Sequence, residues 1–383
     1  MQGRLFRRTA RSSSDLVLRR REAASKGESR FRGNPCGLDH PSRRPLCGFL
    51  RMRASESKRT QFAWGLTVGA ALLMAGCAGP RVQQSQSSGA GLESIDGATV
   101  SLAAFENSAF PYHGLIPNYQ ETGKTRPFMD VDDNGRLGHS SPRGGIHWED
   151  QTYSDRSVLL AAPQSFDPAR GGVIIVFFHG NNATLSRDVI ARQQIVRQLA
   201  DSGLNAVLVA PQLAVDAQDS SAGRFWSSGG FASFLGEAQS KLGDLYPNAR
   251  GAFRRMPIVI VAYSGGYLPA AYSLAVGGDQ GRVRGLVLLD ALYGERDKFV
   301  SWAEGPGRSA FFVSAYSTSS RAGNDAVRAE LEAAGVPTVS ALPRQLTPGV
   351  VAFVDAGSVD HNDFVTSAWG GAPLRDIFSR IGG

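Results

Sequence analysis

The hydroxyl with the clearest chance of doing chemistry is Ser264, in Ala262-Tyr263-Ser264-Gly265-Gly266. An apolar run, Pro257–Ala262, leads into it and an amphipathic stretch follows, so it sits where a strand would turn sharply into a helix. Such a turn forces its central residue into a strained backbone and brings the residues two before and two after it together. Small side chains are needed there, and Ala262 and Gly266 supply them. A serine is a poor nucleophile until a base stands within hydrogen-bond reach. Six histidines occur, and only His361, in Asp360-His361-Asn362-Asp363, lies beyond Ser264. It follows the last apolar run, in a polar loop. A third group must orient that imidazole, and the chain offers carboxylates at the ends of apolar runs: Asp290 in Leu-Leu-Asp-Ala-Leu, with Asp355 as competitor.

The elements that would position these residues alternate in kind. Short runs at Val173–Phe178, Ala206–Ala210, Ile258–Ala262, Leu286–Leu289, Phe311–Ala315 and Val350–Val354 are apolar on both faces, as strands buried in a parallel sheet are. Between them lie amphipathic stretches at Arg187–Ser202, Ala232–Tyr246, Pro269–Val276, Asp325–Ala334 and Phe364–Ile381. Strand–helix alternation predicts right-handed βαβ units and a three-layer α/β/α sandwich with a mostly parallel central sheet. Ser157–Leu160 and Ala98–Leu102 are expected as antiparallel edge strands.

The strand, the tight turn at Ser264 and the helix resemble the nucleophile elbow of the α/β-hydrolase superfamily, with Ala262 in place of the first glycine of G-x-S-x-G. In that family the order along the chain is serine, acid, histidine, which fits Ser264, Asp290 and His361. Most members carry the acid after the following strand, which here ends in Ala315-Tyr316-Ser317-Thr318 without a carboxylate; some lipases place it one strand earlier, and Asp290 matches them. The resemblance also implies an oxyanion hole from the backbone N–H of Gly265 and a second donor from the loop His179–Asn182, assigned to Asn181, with His179 structural. The implied activity is hydrolysis of a carboxylic ester or related acyl bond through an acyl-enzyme, without metal or organic cofactor. A peptidase, amidase or acyltransferase would use the same groups, and a binding protein could retain the fold without catalysis.

Two loops bear on substrate and metal. Pro211–Gly230 is long for a connection in a compact sheet, and long loops are often binding loops. Its Phe225 and Trp226, with Tyr263 beside the nucleophile, are the expected substrate-lining residues. Asp130-Val-Asp132-Asp133-Asn134-Gly135 matches the first half of a calcium-binding EF-hand loop, but the twelfth position is Ser141 rather than Glu, so the bidentate ligand is missing and a polar turn is expected.

The chain has 383 residues and a formal charge of +7, but residues 1–76 hold 16 basic and 5 acidic residues, leaving 25 basic against 29 acidic downstream. The basicity therefore belongs to the amino-terminal segment, and no nucleic-acid partner is expected. The three cysteines, Cys36, Cys47 and Cys77, all precede residue 78, so the folded part holds no disulfide. Cys77 ends an apolar run, Phe62–Gly76, preceded by Arg51, Arg53, Lys58 and Arg59, the order of a secretory signal. Its fifteen residues would reach about 22 Å as a helix, short of the ~30 Å needed to cross a bilayer. Leu73-Met74-Ala75-Gly76-Cys77 resembles a bacterial lipobox, which implies cleavage before Cys77, acylation of its sulfur and a membrane anchor; Ala78 after the cysteine implies the outer membrane, facing the periplasm. The expected organisation is a leader (1–51), a signal peptide (52–76), a lipidated cysteine with a flexible tether (77–94) and one α/β-hydrolase domain (95–383) acting on a small-molecule or lipid ester.

Overall fold

The computed structural model describes residues 92–382; Cys77, the signal and most of the tether lie outside them. In chain order the elements are β1 (Glu93–Ile95), β2 (Ala98–Ala104), β3 (Leu115–Pro117), β4 (Thr125–Pro127), β5 (Val131–Asp133), β6 (Arg136–Ser140), β7 (Ile146–Trp148), β8 (Ser157–Pro163), β9 (Val173–Phe178), α1 (Ile195–Ala200), β10 (Ala206–Pro211), α2 (Gly230–Leu245), β11 (Ile258–Tyr263), α3 (Tyr267–Ala275), β12 (Val283–Leu289), α4 (Arg296–Glu304), β13 (Phe311–Tyr316), α5 (Arg321–Ala333), β14 (Val351–Asp355), α6 (Phe364–Ser367) and α7 (Pro373–Phe378).

Nine strands form one sheet in the order β1-β2-β8-β10-β9-β11-β12-β13-β14. From β10 to β14 every pairing is parallel, while β8 runs antiparallel to both β2 and β10. The two amino-terminal strands are antiparallel as expected, but neither is outermost: β8 is interior and the three-residue β1 covers β2.

The residues of β9 show why the sheet needs two helical layers. All six are buried, with Ile174, Val176 and Phe178 facing one apolar core and Val173, Ile175 and Phe177 the other. The first core takes Phe234 of α2, Ala271 of α3, Phe299 of α4 and Leu331 of α5. The second takes Leu199 of α1, Phe364 of α6 and Ile377 of α7. Apolar area removed from water on both faces stabilises the sheet by roughly 25 cal/mol per Å². This is the α/β-hydrolase fold.

Two expected helices are interrupted. Arg187–Ser202 is a π-helical segment (Leu185–Arg192) followed by α1, broken at Gln194, whose φ is +52°. Phe364–Ile381 is split into α6 and α7 around Gly370-Gly371, with Pro373 opening the second piece. Residues 105–156 fold into two small antiparallel sheets, β3-β4 and β5-β6-β7. The calcium-like sequence is a two-residue hairpin turn between β5 and β6: Asn134 and Gly135 have φ of +54° and +88°, and Asp132 accepts the Gly135 N–H at 2.7 Å. Among the described residues no group of three His, Cys, Asp or Glu is placed to hold a metal ion, and no helix is long and apolar enough to cross a membrane.

Candidate active site

Where chain order reverses in a doubly wound sheet, neighbouring strand ends splay apart and leave a crevice. Here the reversal falls at β9, which is followed in sequence by β10 on one side and flanked by β11 on the other. His179–Asn182 leaves the carboxyl end of β9, and Ser264 leaves that of β11.

Ser264 has φ of +52°, a left-handed conformation that costs a serine about 1–3 kcal/mol. The surrounding glycines show what the bend requires. A Cβ on Gly266 would lie 2.3 Å from the carbonyl oxygen of Phe178, and one on Gly180 would lie 2.8 Å from Cβ of Ser264. The elbow therefore touches the end of β9 backbone to backbone.

The structure brings Ser264, His361 and Asp290 together. His361 Nε2 is 2.7 Å from Ser264 Oγ, and its Nδ1 is 2.6 Å from Asp290 Oδ2. With Nδ1–H donating to the carboxylate, Nε2 is left to accept the serine proton. His361 opens a short turn after β14, tied down by three contacts. Asp360 accepts the Asn362 N–H at 2.8 Å, Arg192 donates to the Asn362 carbonyl at 3.0 Å, and the Tyr263 hydroxyl donates to the His361 carbonyl at 2.7 Å.

Asp290 is fully buried at the end of β12, with φ of +44°. Burial alone would raise its carboxyl pKa, but hydrogen bonds from His361, Ser319, Ser320 and the Ser317 N–H outweigh it and hold the group well below the usual carboxylate range. Ser317 Oγ, at 2.9 Å, and Ser319 Oγ, at 2.6 Å, both donate to Oδ2, and Ser320 Oγ, at 2.5 Å, donates to Oδ1. This hydroxyl collar, supplied by the segment after β13, was not foreseen; the run Ser317-Thr-Ser-Ser was its only trace. Tyr293 closes over the pair, 3.3 Å from His361 Nδ1 and 2.7 Å from Ser319 Oγ. Asp355 is engaged elsewhere, by a two-pronged ion pair with Arg321 at 2.7 and 2.9 Å.

At the other side of the elbow, the Asn181 side chain lies over Gly265: its Oδ1 is 2.0 Å from where a Gly265 Cβ would sit, and it accepts Ser220 Oγ–H at 3.0 Å. Gly265 lies in the opening turn of the helix, where N–H groups have no intrahelical acceptor, and among the described residues the Asn181 N–H has no partner. His179 is fully buried; Nδ1–H donates to the Gly180 carbonyl at 2.7 Å and Nε2 accepts the Leu213 N–H at 2.9 Å. Burial pushes its pKa down to about 4, so it is a neutral strut for the loop.

A cavity of about 900 Å³ adjoins the elbow. Ser264 and His361 do not line it, but Ser220 and Tyr267 do, and they connect it to Asn181 and to the first turn of the helix. Pro211–Gly230 contributes Asp219, Ser220, Ser221 and Trp226 to its wall, while Tyr119 and Arg143 come from the two small sheets and their loops.

Of the three residues expected to line a pocket, only Trp226 does. Phe225 is fully buried instead, its ring 5.1 Å from that of Phe178 and 5.3 Å from that of Phe234. Tyr263, on the opposite sheet face from the cavity wall, stacks on the His361 ring at 5.2 Å and 23°.

No protein-family model matches the sequence, and no curated protein matches it. Among solved structures, a cold-adapted esterase from an Arctic intertidal metagenomic library aligns over 76% of this chain and 97% of its own, at 11% identity and a TM-score of 0.41. A mutant feruloyl esterase module from Clostridium thermocellum, complexed with sinapinate, aligns over 72% and 94%, at 13% identity and 0.36. An S-formylglutathione hydrolase from Agrobacterium tumefaciens aligns over 76% and 99%, at 10% identity and 0.36. At that distance no residue role is carried over.

Proposed function

We propose that the chain is a serine hydrolase that cleaves a carboxylic ester or related acyl bond. The observation that carries this reading is the continuous hydrogen-bonded line Asp290–His361–Ser264, with the serine held in a left-handed bend at the start of a helix. In the proposed cycle His361 Nε2 takes the Ser264 proton as Oγ attacks the carbonyl carbon. The resulting imidazolium is stabilised by the ionised Asp290, and it returns the proton to the leaving alcohol oxygen. Water then attacks the acyl-enzyme with the same base, releasing the acid and restoring Ser264. The N–H groups of Gly265 and Asn181 are the candidate donors to the oxyanion, each worth about 3–4 kcal/mol of barrier.

The test is Ser264→Ala. Hydrolysis of p-nitrophenyl butyrate and covalent labelling by a fluorophosphonate should both vanish while the thermal melt stays in place; turnover that survives the substitution rejects the assignment. Export with an acyl anchor at Cys77 is proposed on the order of residues 52–77 alone; incorporation of labelled palmitate that disappears in Cys77→Ser tests it.

A further inference from the structure

Most charges on the cavity wall are already engaged. Asp130 pairs with Arg126 and accepts the Ser140 N–H at 2.7 Å. Glu295 is 2.5 Å from Lys298 Nζ. Asp219 is buried, with Oδ1 accepting Ser141 Oγ–H at 3.1 Å and Oδ2 accepting the Tyr153 hydroxyl at 2.9 Å and the Ser221 N–H at 3.3 Å. Arg143 differs: it lines the cavity and is exposed, and among the described residues no carboxylate lies within ion-pair distance of it.

Its backbone, by contrast, is fixed. Arg143 sits in the turn between β6 and β7, where Ser141 N–H donates to the Gly145 carbonyl at 3.1 Å and Gly144 N–H to the Ser141 carbonyl at 2.9 Å. Ser141 Oγ accepts the Arg143 N–H at 3.3 Å and donates to Asp219 on the facing wall. The cation is therefore carried on a tethered turn in the wall of the cavity beside the elbow. Its charge reaches Tyr267, three residues after Ser264: burial raises that phenol, and the largest opposing influence is Arg143. A guanidinium with no carboxylate beside it among the described residues, at the wall of a cavity, is the group that recognises carboxylates in a planar, two-pronged manner.

We propose that Arg143 is the anion-recognising group of this cavity, and that the ester taken by the site carries a carboxylate, or a group of like charge, remote from the scissile bond. The inference rests on the hydrolase reading and adds a substrate class to it.

The experiment uses two matched pairs of esters. One pair varies the acyl part, p-nitrophenyl butyrate against mono-p-nitrophenyl glutarate. The other varies the leaving group, the butyryl esters of 4-hydroxybenzamide and of 4-hydroxybenzoate. In at least one pair the anionic member should have the higher kcat/KM, by about tenfold to a hundredfold. Arg143→Ala should lower kcat/KM far more for the anionic member than for its neutral partner and so remove that preference, Arg143→Lys should retain part of it, and added salt should shrink it. Equal turnover within both pairs, or equal loss on both members in Arg143→Ala, overturns the anion site while the hydrolase reading stands. Absence of all Ser264-dependent turnover and labelling overturns both.

Discussion

The phenolic hydroxyl of Tyr263 donates to the backbone carbonyl of His361 at 2.7 Å, and its ring stacks on the imidazole. The residue preceding the candidate nucleophile thus holds the candidate base from two directions. Tyr263→Phe keeps the stacking and removes the hydrogen bond, a loss of about 1 kcal/mol. The His361 carbonyl keeps a second donor, the Phe364 N–H. We expect kcat to fall roughly three- to tenfold by that energy, with KM little changed. A rise in KM at constant kcat would instead mark Tyr263 as a substrate contact.

Asp290 and Asp355 both end sheet strands, but only the first meets the imidazole. Asp290→Asn should lower kcat about 10³- to 10⁴-fold, because the amide cannot favour the Nδ1–H tautomer or stabilise the imidazolium. Asp355→Asn should leave kcat within about twofold and cost little stability, since its ion pair with Arg321 is largely exposed. Steady-state kinetics on the two variants decides between them; a dead Asp355→Asn would reassign the acid.

The contact between the elbow and β9 leaves no room for a methyl group. Gly266→Ala places a Cβ 2.3 Å from the Phe178 carbonyl, so strand and helix must separate, at a cost of about 1–3 kcal/mol. Gly236, inside α2, has nothing within 4 Å of its would-be Cβ, and Gly236→Ala should stabilise by up to ~1 kcal/mol. Urea denaturation of the pair should give shifts of opposite sign.

His179 links stability to pH. Its folded pKa, about 4, lies below the ordinary value of 6.5, so between those values the unfolded chain binds a proton that the folded chain excludes. The stability it lends is present above pH 6.5 and is lost as pH falls toward 4, at up to about 1.4 kcal/mol per pH unit. His139, whose pKa burial also lowers, acts in the same direction. Unfolding free energies measured at several pH values should decline through this window; a flat or rising trend on acidification would contradict the buried neutral imidazole.

What could be read in advance followed from local patterns that tertiary packing reinforces. The doubly apolar runs became β9 to β14 because only a strand covered on both sides tolerates such composition, and the elbow was legible because strand, bend and helix are contiguous in sequence. The break at Gln194 left no comparable mark, since the apolar stripe of Arg187–Ser202 continues through it. Residues 105–156 were opaque because their strands are mostly three residues long and polar. Phe225 and Tyr263 were misjudged for two further reasons: Phe225 shares the core of Trp226 but points inward onto Phe178 and Phe234, whereas Tyr263 faces the other layer of the sheet, and which layer bears the cavity is a property of the assembled fold. Arg143 carried no signal at all, because what sets it apart is the lack, among the described residues, of a carboxylate beside it in space.

Ser264 and His361 are separated by 97 positions, and Asp290 and His361 by 71, yet all meet through strands paired in parallel. During renaturation, non-local pairings of this kind form slowly compared with local helices. Recovery of far-ultraviolet ellipticity should therefore run ahead of regained turnover, and the lag between the two traces would time the final docking of the His361 loop.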